Sequence, residues 1–412
     1  MFWPDILLTM KLKKHRGGAV DRLAKTEAGE RMNGRTAAAI GIFLLLYASL
    51  QGAIGWHGGV WLERVAPAAL PVYWALFGVV AFAYLLGRAA SAWRDWSLFR
   101  WLMVVGAYWM GAMFYLLLLL PIADVAVWLL GALGASSPVA AVGWATVAAL
   151  SALLALGARN AWSPIARTYR IRTSKRPAGA APLKIAVASD LHLGASVGRR
   201  QLSRLVREIN RFEPDVVLLP GDLIDDDLRP FLRRDLASVF RGLRPPRLGV
   251  FAVPGNHDPF GGKSARRFAE AMEASGIRML MDETVRLGGE AVLVGRLDRS
   301  APRYGLARKP LAELLAGADP QMPTILMDHQ PLGFAEAEEA GVDLMLSGHT
   351  HRGQLAPNHL LTRRLFDLDW GYARKGRLHA VVSSGFGFWG PPFRLGSRAE
   401  WIQITLEGEG RE

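Results

Sequence analysis

Hydrophobic and polar positions divide this chain near residue 160. Before that point long uncharged runs recur: Ala37–Trp56, Ala66–Gly87, Trp101–Pro121 and Pro138–Gly157. Each is close to the ~20 apolar residues that cross a bilayer as a helix. The apolar stretch Ile122–Leu133 is too short to span alone and carries Asp124. It therefore extends the third helix or lies at the interface, so four spans is the preferred count and five the alternative. Asp124 is read as a membrane–water boundary residue rather than a functional polar site. After residue 160 the pattern changes to short β-branched runs separated by amphipathic stretches. Leu183–Ser189, Val216–Leu219, Gly249–Val253, Thr324–Met327 and Asp343–Ser347 predict buried strands. Arg199–Arg211, Leu228–Phe240, Ser264–Ala274 and Leu332–Glu339 predict helices between them. Such alternation is the signature of a layered α/β domain.

Each predicted strand runs into a short polar motif. In chain order these are Asp190-Leu-His192, Gly221-Asp222, Gly255-Asn256-His257-Asp258, Asp328-His329 and Gly348-His349-Thr350-His351. Five of the nine histidines fall in them, beside carboxylates and one amide. Ligands gather at the carboxyl ends of strands in open α/β sheets, so the five ends should converge on one crevice. Mixed imidazole and oxygen donors suit divalent first-row metals, and two such ions held together form machinery for attack on phosphorus. Gly221, Gly255 and Gly348 precede donors where the chain must turn sharply, and glycine tolerates the positive φ such turns need. Any one motif alone is more often a turn or a satisfied polar residue; five in this order are not.

Residues 184–406 resemble the calcineurin-like metallophosphoesterases, whose pattern D-x-H, G-D, G-N-H-[D/E], H and G-H-x-H is met in full. The tail Val381–Leu406 looks like the membrane-associated YkuE/YaeI-type phosphodiesterase branch. The apolar runs predict an N-terminal α-helical transmembrane bundle, and the resemblance implies that the C-terminal α/β domain is of α/β/β/α-sandwich type. It implies two divalent metal ions, of Mn, Fe, Zn, Co, Ni or Mg. Asp190, His192, Asp222 and His351 would hold the first. Asp222, as a bridge, with Asn256, His329 and His349 would hold the second. His257 would contact phosphate and protonate the leaving oxygen, and Asp258 would fix the His257 ring in one tautomer. Arg352 departs from the branch, where glycine is common, and would contact substrate phosphate.

Charge orients the helical half. Lys11, Lys13, Lys14, Arg16, Arg22, Lys25, Arg31 and Arg35 precede the first span; Arg88, Arg94 and Arg100 lie between the second and third; Arg159, Arg167, Arg170, Arg172, Lys175 and Arg176 follow the fourth. The other two loops offer only Arg64. The positive-inside rule then places both termini and the catalytic domain in the cytoplasm, an arrangement that requires an even number of spans, as four is. Much of the net charge of +13 is thereby topological. No basic stripe interleaved with aromatics marks the soluble half, so nucleic acid is not an expected partner. The absence of cysteine excludes disulfides and thiolate metal sites and fits a reducing compartment. A cleaved signal peptide is not expected, and no internal repeat is visible.

The expected organisation is a basic cytoplasmic segment at 1–36, a transmembrane bundle at 37–158, a basic linker at 159–182 acting as a tether near anionic headgroups, and a phosphoesterase domain at 183–408. The expected function is hydrolysis of a phosphodiester or pyrophosphate by metal-activated water at the inner or plasma membrane, with membrane lipids and a phosphoester substrate, lipid-linked in one version of this reading, as partners and no obligate protein partner. The alternatives are a tethered phosphodiesterase for soluble nucleotides and a membrane sensor whose soluble domain reads a phosphorylated ligand. His359–Trp370, apolar with Arg363 and Arg364 between its leucines, reads either as a flap that dips into the interface or as a core-packing insertion.

Overall fold

The computed structural model describes residues 34–91 and 97–409. The basic positions Lys11 to Arg31, Arg94 and most of the 1–36 segment lie outside the described residues.

Four helices are long and apolar enough to cross a membrane: α1 (Gly34–Val65), α2 (Leu70–Ser91), α3 (Ser97–Ala132) and α4 (Pro138–Trp162). The stretch after Pro121 continues α3, so among the described residues the count is four, not five. A proline inside a helix removes one backbone donor, which membrane helices tolerate when neighbours satisfy the freed carbonyl. Large side chains such as Leu45, Leu46 and Trp128 stay largely exposed on the helices, as lipid-facing residues do.

The chain divides into two compact units, one reaching to Ala81 and including Leu116–Thr146, the other made of Phe82–Tyr115 and Val147 onward. In the first, Asp124 on α3 pairs with His57 on α1 at 3.2 Å, and Trp61 meets Trp144 edge-on at 5.0 Å.

In the second unit the chain enters β1 (Ile165–Thr173) and then β2 (Leu183–Val187), α5 (Arg199–Phe212), β3 (Val216–Pro220), α6 (Leu228–Arg233), β4 (Val250–Val253), α7 (Gly262–Glu273) and β5 (Arg278–Met279). It continues through β6 (Glu283–Leu287), β7 (Ala291–Gly295), α8 (Leu311–Leu315), β8 (Thr324–Met327), α9 (Phe334–Glu339) and β9 (Leu344–Ser347). The last elements are α10 (His359–Leu365), β10 (Gly371–Lys375), β11 (Leu378–Val382) and β12 (Glu400–Gly408). Two six-stranded sheets result, ordered β1-β12-β2-β3-β4-β5 and β10-β11-β9-β8-β7-β6. Their inner faces meet through Ile185, Leu218, Leu293, Ile325, Leu344 and Val381. Helices cover the outer faces: Leu202, Leu205 and Ile209 of α5 pack on the first sheet, and Leu311 and Phe334 on the second. Leu202, Leu205, Val206 and Ile209 recur at helical spacing, which is why α5 buries one face only. This is the four-layer α/β/β/α sandwich.

The basic segment after α4 is not wholly a tether. Residues 165–173 form a nine-residue edge strand parallel to β12, with Arg167 bonded to Glu400 at 2.8 Å and Thr173 to Asp343 at 3.1 Å. Ile165, Arg167, Tyr169, Ile171 and Thr173 share one face and Thr168, Arg170 and Arg172 the other, so Arg170 and Arg172 occupy the outer side of the strand while Arg167 turns in to Glu400.

Candidate metal centre

The five strand-end motifs meet. Asp190 and His192 follow β2, Asp222 follows β3, Asn256 and His257 follow β4, His329 follows β8, and His349 and His351 follow β9. The first three strands belong to one sheet and the last two to the other, so the donors are gathered where both sheets end. Backbone bonds lock these turns together: Asp190 donates to Gly221, His192 to Asp222, and Gly348 to His329. His329 Nδ1 lies 2.9 Å from the Pro220 carbonyl, tying one sheet's end to the other's.

Two groups could each hold a metal ion, Asp190 with His192 and His351, and Asp222 with His329 and His349; within each, the ligand atoms lie within 4.8 Å of one another. His192 Nε2 stands 3.0 Å from His351 Nε2, which is 3.4 Å from Asp190 Oδ1. Asp222 Oδ2 reaches both groups, at 3.1 Å from His329 Nε2 and 3.7 Å from His192 Nε2. Asn256 Oδ1 contacts His349 Nδ1 at 2.7 Å. Asp190, His192, Asp222, His329 and His351 are all buried; His192 Nδ1 is a buried nitrogen without a hydrogen-bond partner, and His329 Nε2 faces Asp222 without a well-formed hydrogen bond. Buried polar atoms left in that state call for an unseen partner such as an ion. The donor set fits divalent first-row cations.

The electrostatics agree with that fit at three of the four ligand histidines; at His329 burial is outweighed by Asp222, which raises the ring well above the usual histidine range. Burial depresses His192 to about 3 and His349 to about 4, and with the Arg394 charge it holds His351 well below the usual histidine range. These rings are neutral near pH 7, the state a ligand needs. Burial alone would raise Asp222, but the charges of His329 and His257 hold it well below the carboxylate range. Burial pushes Asp190 up to about 6, His329 opposing and the nearby Asp222 adding to the rise.

The backbone is strained at the donors. Asp190, His192, Asp222, His349 and His351 all have positive φ, between 44° and 72°. Side-chain-bearing residues in this region cost about 1–3 kcal/mol each and persist where surroundings over-determine them, typically at functional sites. Only Gly221 of the three motif glycines needs positive φ, at 88°. Gly255 and Gly348 are glycine for a different reason, close approach: a Cβ at 255 would strike Asp222, and one at 348 would strike Ser189 and Asp190. Gly255→Ala is therefore expected to destabilise the fold by about 1–3 kcal/mol and to weaken cation-dependent stabilisation. Thermal unfolding with and without added Mn²⁺ checks this, and an unchanged midpoint in both would contradict it.

Asp258 does not hold the His257 ring. Its carboxylate turns back to accept from the backbone of Gly255, Leu223 and Ile224 at 2.8–3.1 Å. The carboxylate on His257 is Asp226, whose Oδ1 lies 2.6 Å from Nδ1. At a tight turn, neighbours in sequence point apart while a residue from the adjacent turn points in. Asp258→Ala would orphan buried donors, each worth about 1–3 kcal/mol, so it should lower the unfolding midpoint sharply; a normal melt would refute the bracing role. Burial works against protonation of His257, yet Asp222 and Asp226 raise it to about 10.

Arg352 is held by an aromatic contact, its guanidinium stacked 4.0 Å over Trp370. The guanidinium against the centre belongs instead to Arg394, fully buried, with Nη2 3.0 Å from His351 Nδ1 and 2.6 Å from the Gly387 carbonyl. Trp389 lies beside His257 at 5.6 Å between ring centroids. Asp328 is likewise a support, ion-paired with Arg308 and, at 3.6 Å, with Arg296. Sequence reasoning missed Asp226 and Arg394; the run Asp225-Asp226-Asp227 directly after Gly221-Asp222 was the available signal for the first.

A family model described as calcineurin-like phosphoesterase matches residues 183–353. A Bos taurus transmembrane protein with metallophosphoesterase domain is 34% identical over 270 residues, covering 62% of this chain and 60% of that one. An Aquifex aeolicus metallophosphoesterase is 34% identical over 246 residues, covering 59% of this chain and 91% of that one. The Bacillus subtilis metallophosphoesterase YkuE is 27% identical over 246 residues, covering 58% and 84%. The chain thus spans less than two thirds of the bovine protein's length.

Proposed function

Because the chain belongs to the calcineurin-like metallophosphoesterases, with four apolar helices ahead of the catalytic domain, we propose that it is a membrane-anchored dinuclear phosphohydrolase of phosphodiester or pyrophosphate bonds. The observation that carries this reading is the placement of Asp222 within reach of histidines from both groups. In it, Asp190, His192, Asp222 and His351 hold one divalent cation, and Asp222, Asn256, His329 and His349 hold the other. Such a pair, when bound, neutralises phosphate charge and acidifies water. The protein's own share is to fix the donors rigidly, to keep His192 and His349 neutral, and to present a proton on His257 Nε2 while Asp226 holds Nδ1. Arg394, at His351, and Trp389, at His257, complete the walls.

The catalytic domain faces the cytoplasm in this reading, since Arg88, Arg100, Arg159, Arg170 and Arg172 flank the helices on the domain's side. An amphiphilic phosphoester is the proposed substrate, because the anchor keeps the centre beside the bilayer. The test is purified full-length protein assayed with Mn, Fe, Co, Ni, Zn and Mg against bis-aryl phosphodiesters, nucleotides, phospholipids and lipid-linked pyrophosphates. Metal-dependent cleavage of lipid substrates is expected. Efficient cleavage of nucleotides with every lipid untouched would favour a tethered soluble-substrate enzyme, and no cleavage at all would leave the sensor reading.

A further inference from the structure

Helix α10 presents three leucines to the outside. Leu360, Leu361 and Leu365 are 54%, 58% and 64% exposed, and Arg363 and Arg364 are exposed among them. Contiguous large apolar side chains on one short element are uncommon on a water-facing surface. The helix is nevertheless firmly held. Thr362 is buried and donates to Asp369 Oδ2 at 2.6 Å, and buried Phe366 lies 6.0 Å from the His349 ring.

What lies next to α10 indicates what covers it. Leu355 and Ala356, just ahead of it, pack with Phe393 and Leu395 against Phe114 and Tyr115 of α3 and Leu150, Leu153, Leu154 and Ala158 of α4. On α3 these contacts sit far in from the helix start: at 1.5 Å per residue, Tyr115 is about 27 Å along α3 from Ser97, while on α4 they run on toward its end at Trp162. The whole of α3 runs about 54 Å, whereas the hydrocarbon core is about 30 Å thick. The domain therefore grips these helices near the level where they enter lipid, and α10 continues from that grip. Leucines beside arginines complement an acyl layer under anionic headgroups.

We propose that α10 is an interfacial helix, seated in the headgroup layer of the membrane that the four helices cross, with Leu360, Leu361 and Leu365 toward the acyl chains and Arg363 and Arg364 on anionic headgroups. Its contact with His349 through Phe366 then holds the mouth of the centre at headgroup level. The inference rests on the membrane reading of the helices and deepens the proposed amphiphilic substrate.

The chain has no cysteine, so Leu361→Cys supplies a unique thiol for a polarity-sensitive fluorophore. The full-length protein is placed in nanodiscs containing brominated acyl chains, with Lys263→Cys on α7 as the exposed reference. Blue-shifted emission and several-fold stronger quenching at 361 than at 263 are expected. Arg363→Gln with Arg364→Gln should weaken quenching in anionic discs and leave it unchanged in zwitterionic ones; equal loss in both would overturn the headgroup contact. Spectra and quenching at 361 matching those at 263 would overturn the proposal, as would shielding that follows protein concentration and not lipid, the mark of a second copy. Hydrolysis is not the readout, so a quenched label in an inactive protein would reject the catalytic reading alone.

Discussion

Asp222→Asn is expected to lower kcat on a bis-aryl phosphodiester by about 10³ or more, with bound divalent metal falling from two ions per chain toward one or none. The change keeps the shape of the side chain and removes its charge. Asp222 is 1% exposed and is the carboxylate within reach of both His192 and His329, so no water can replace it and no neighbour duplicates it. A loss of about 4 kcal/mol of transition-state stabilisation corresponds to about 10³ in rate. Metal analysis of the purified variant beside its kinetics checks this. Wild-type turnover with two ions bound would end the dinuclear proposal.

His257→Asn should cost about 10²–10⁴ in kcat while both ions are retained, and the loss should shrink as the leaving group becomes more acidic. That split separates a proton donor from a ligand. Asp226→Asn tests how the proton is held. His257 is raised to about 10, burial opposing and Asp222 and Asp226 prevailing, so it stays charged across neutral pH. Removing the Asp226 charge destabilises the imidazolium, and the alkaline limb of kcat/KM should move to lower pH. Asp226 is 39% exposed and screened by solvent, so a shift of about 1 unit is expected from a charge-assisted bond. The same pair contributes stability below the unfolded histidine value, near 6.5, that fades as pH rises toward 10. The variant should thus be less stable than wild type at pH 6 and nearly equal at pH 10. An unmoved alkaline limb would assign that titration to another group.

Much of the centre was legible because its signals are local. Each donor follows a short β-branched strand, and strand ends converge by topology, so Asp190, Asp222, His329 and His349 could be named before any geometry. What escaped notice depends on which way side chains turn. Asp258 adjoins His257 in sequence yet braces three backbone amides, whereas Asp226 arrives from the neighbouring turn. Arg394 lies 43 residues beyond His351, and nothing between them marks the pairing. The edge strand β1 was hidden by composition: its arginines suggested lipid contact, although alternate positions carry Ile165, Tyr169 and Ile171. The short strands β6 and β10 alternate too briefly to be separated from loops.

Only Ser163 and Pro164 separate α4 from β1, and the helix end is itself built into the sandwich. Ala161 belongs to its core, Trp162 packs on Phe388 at 5.0 Å, and the Gly157 carbonyl accepts from Arg394. A domain mounted this way has no leash. It cannot swing away from the helix that carries it, and its reactive groups stay at a fixed remove from that helix's foot. For the amphiphilic substrate proposed above, encounters would then depend on what drifts laterally to that foot, and crowding within the two-dimensional film would govern turnover more than bulk concentration does.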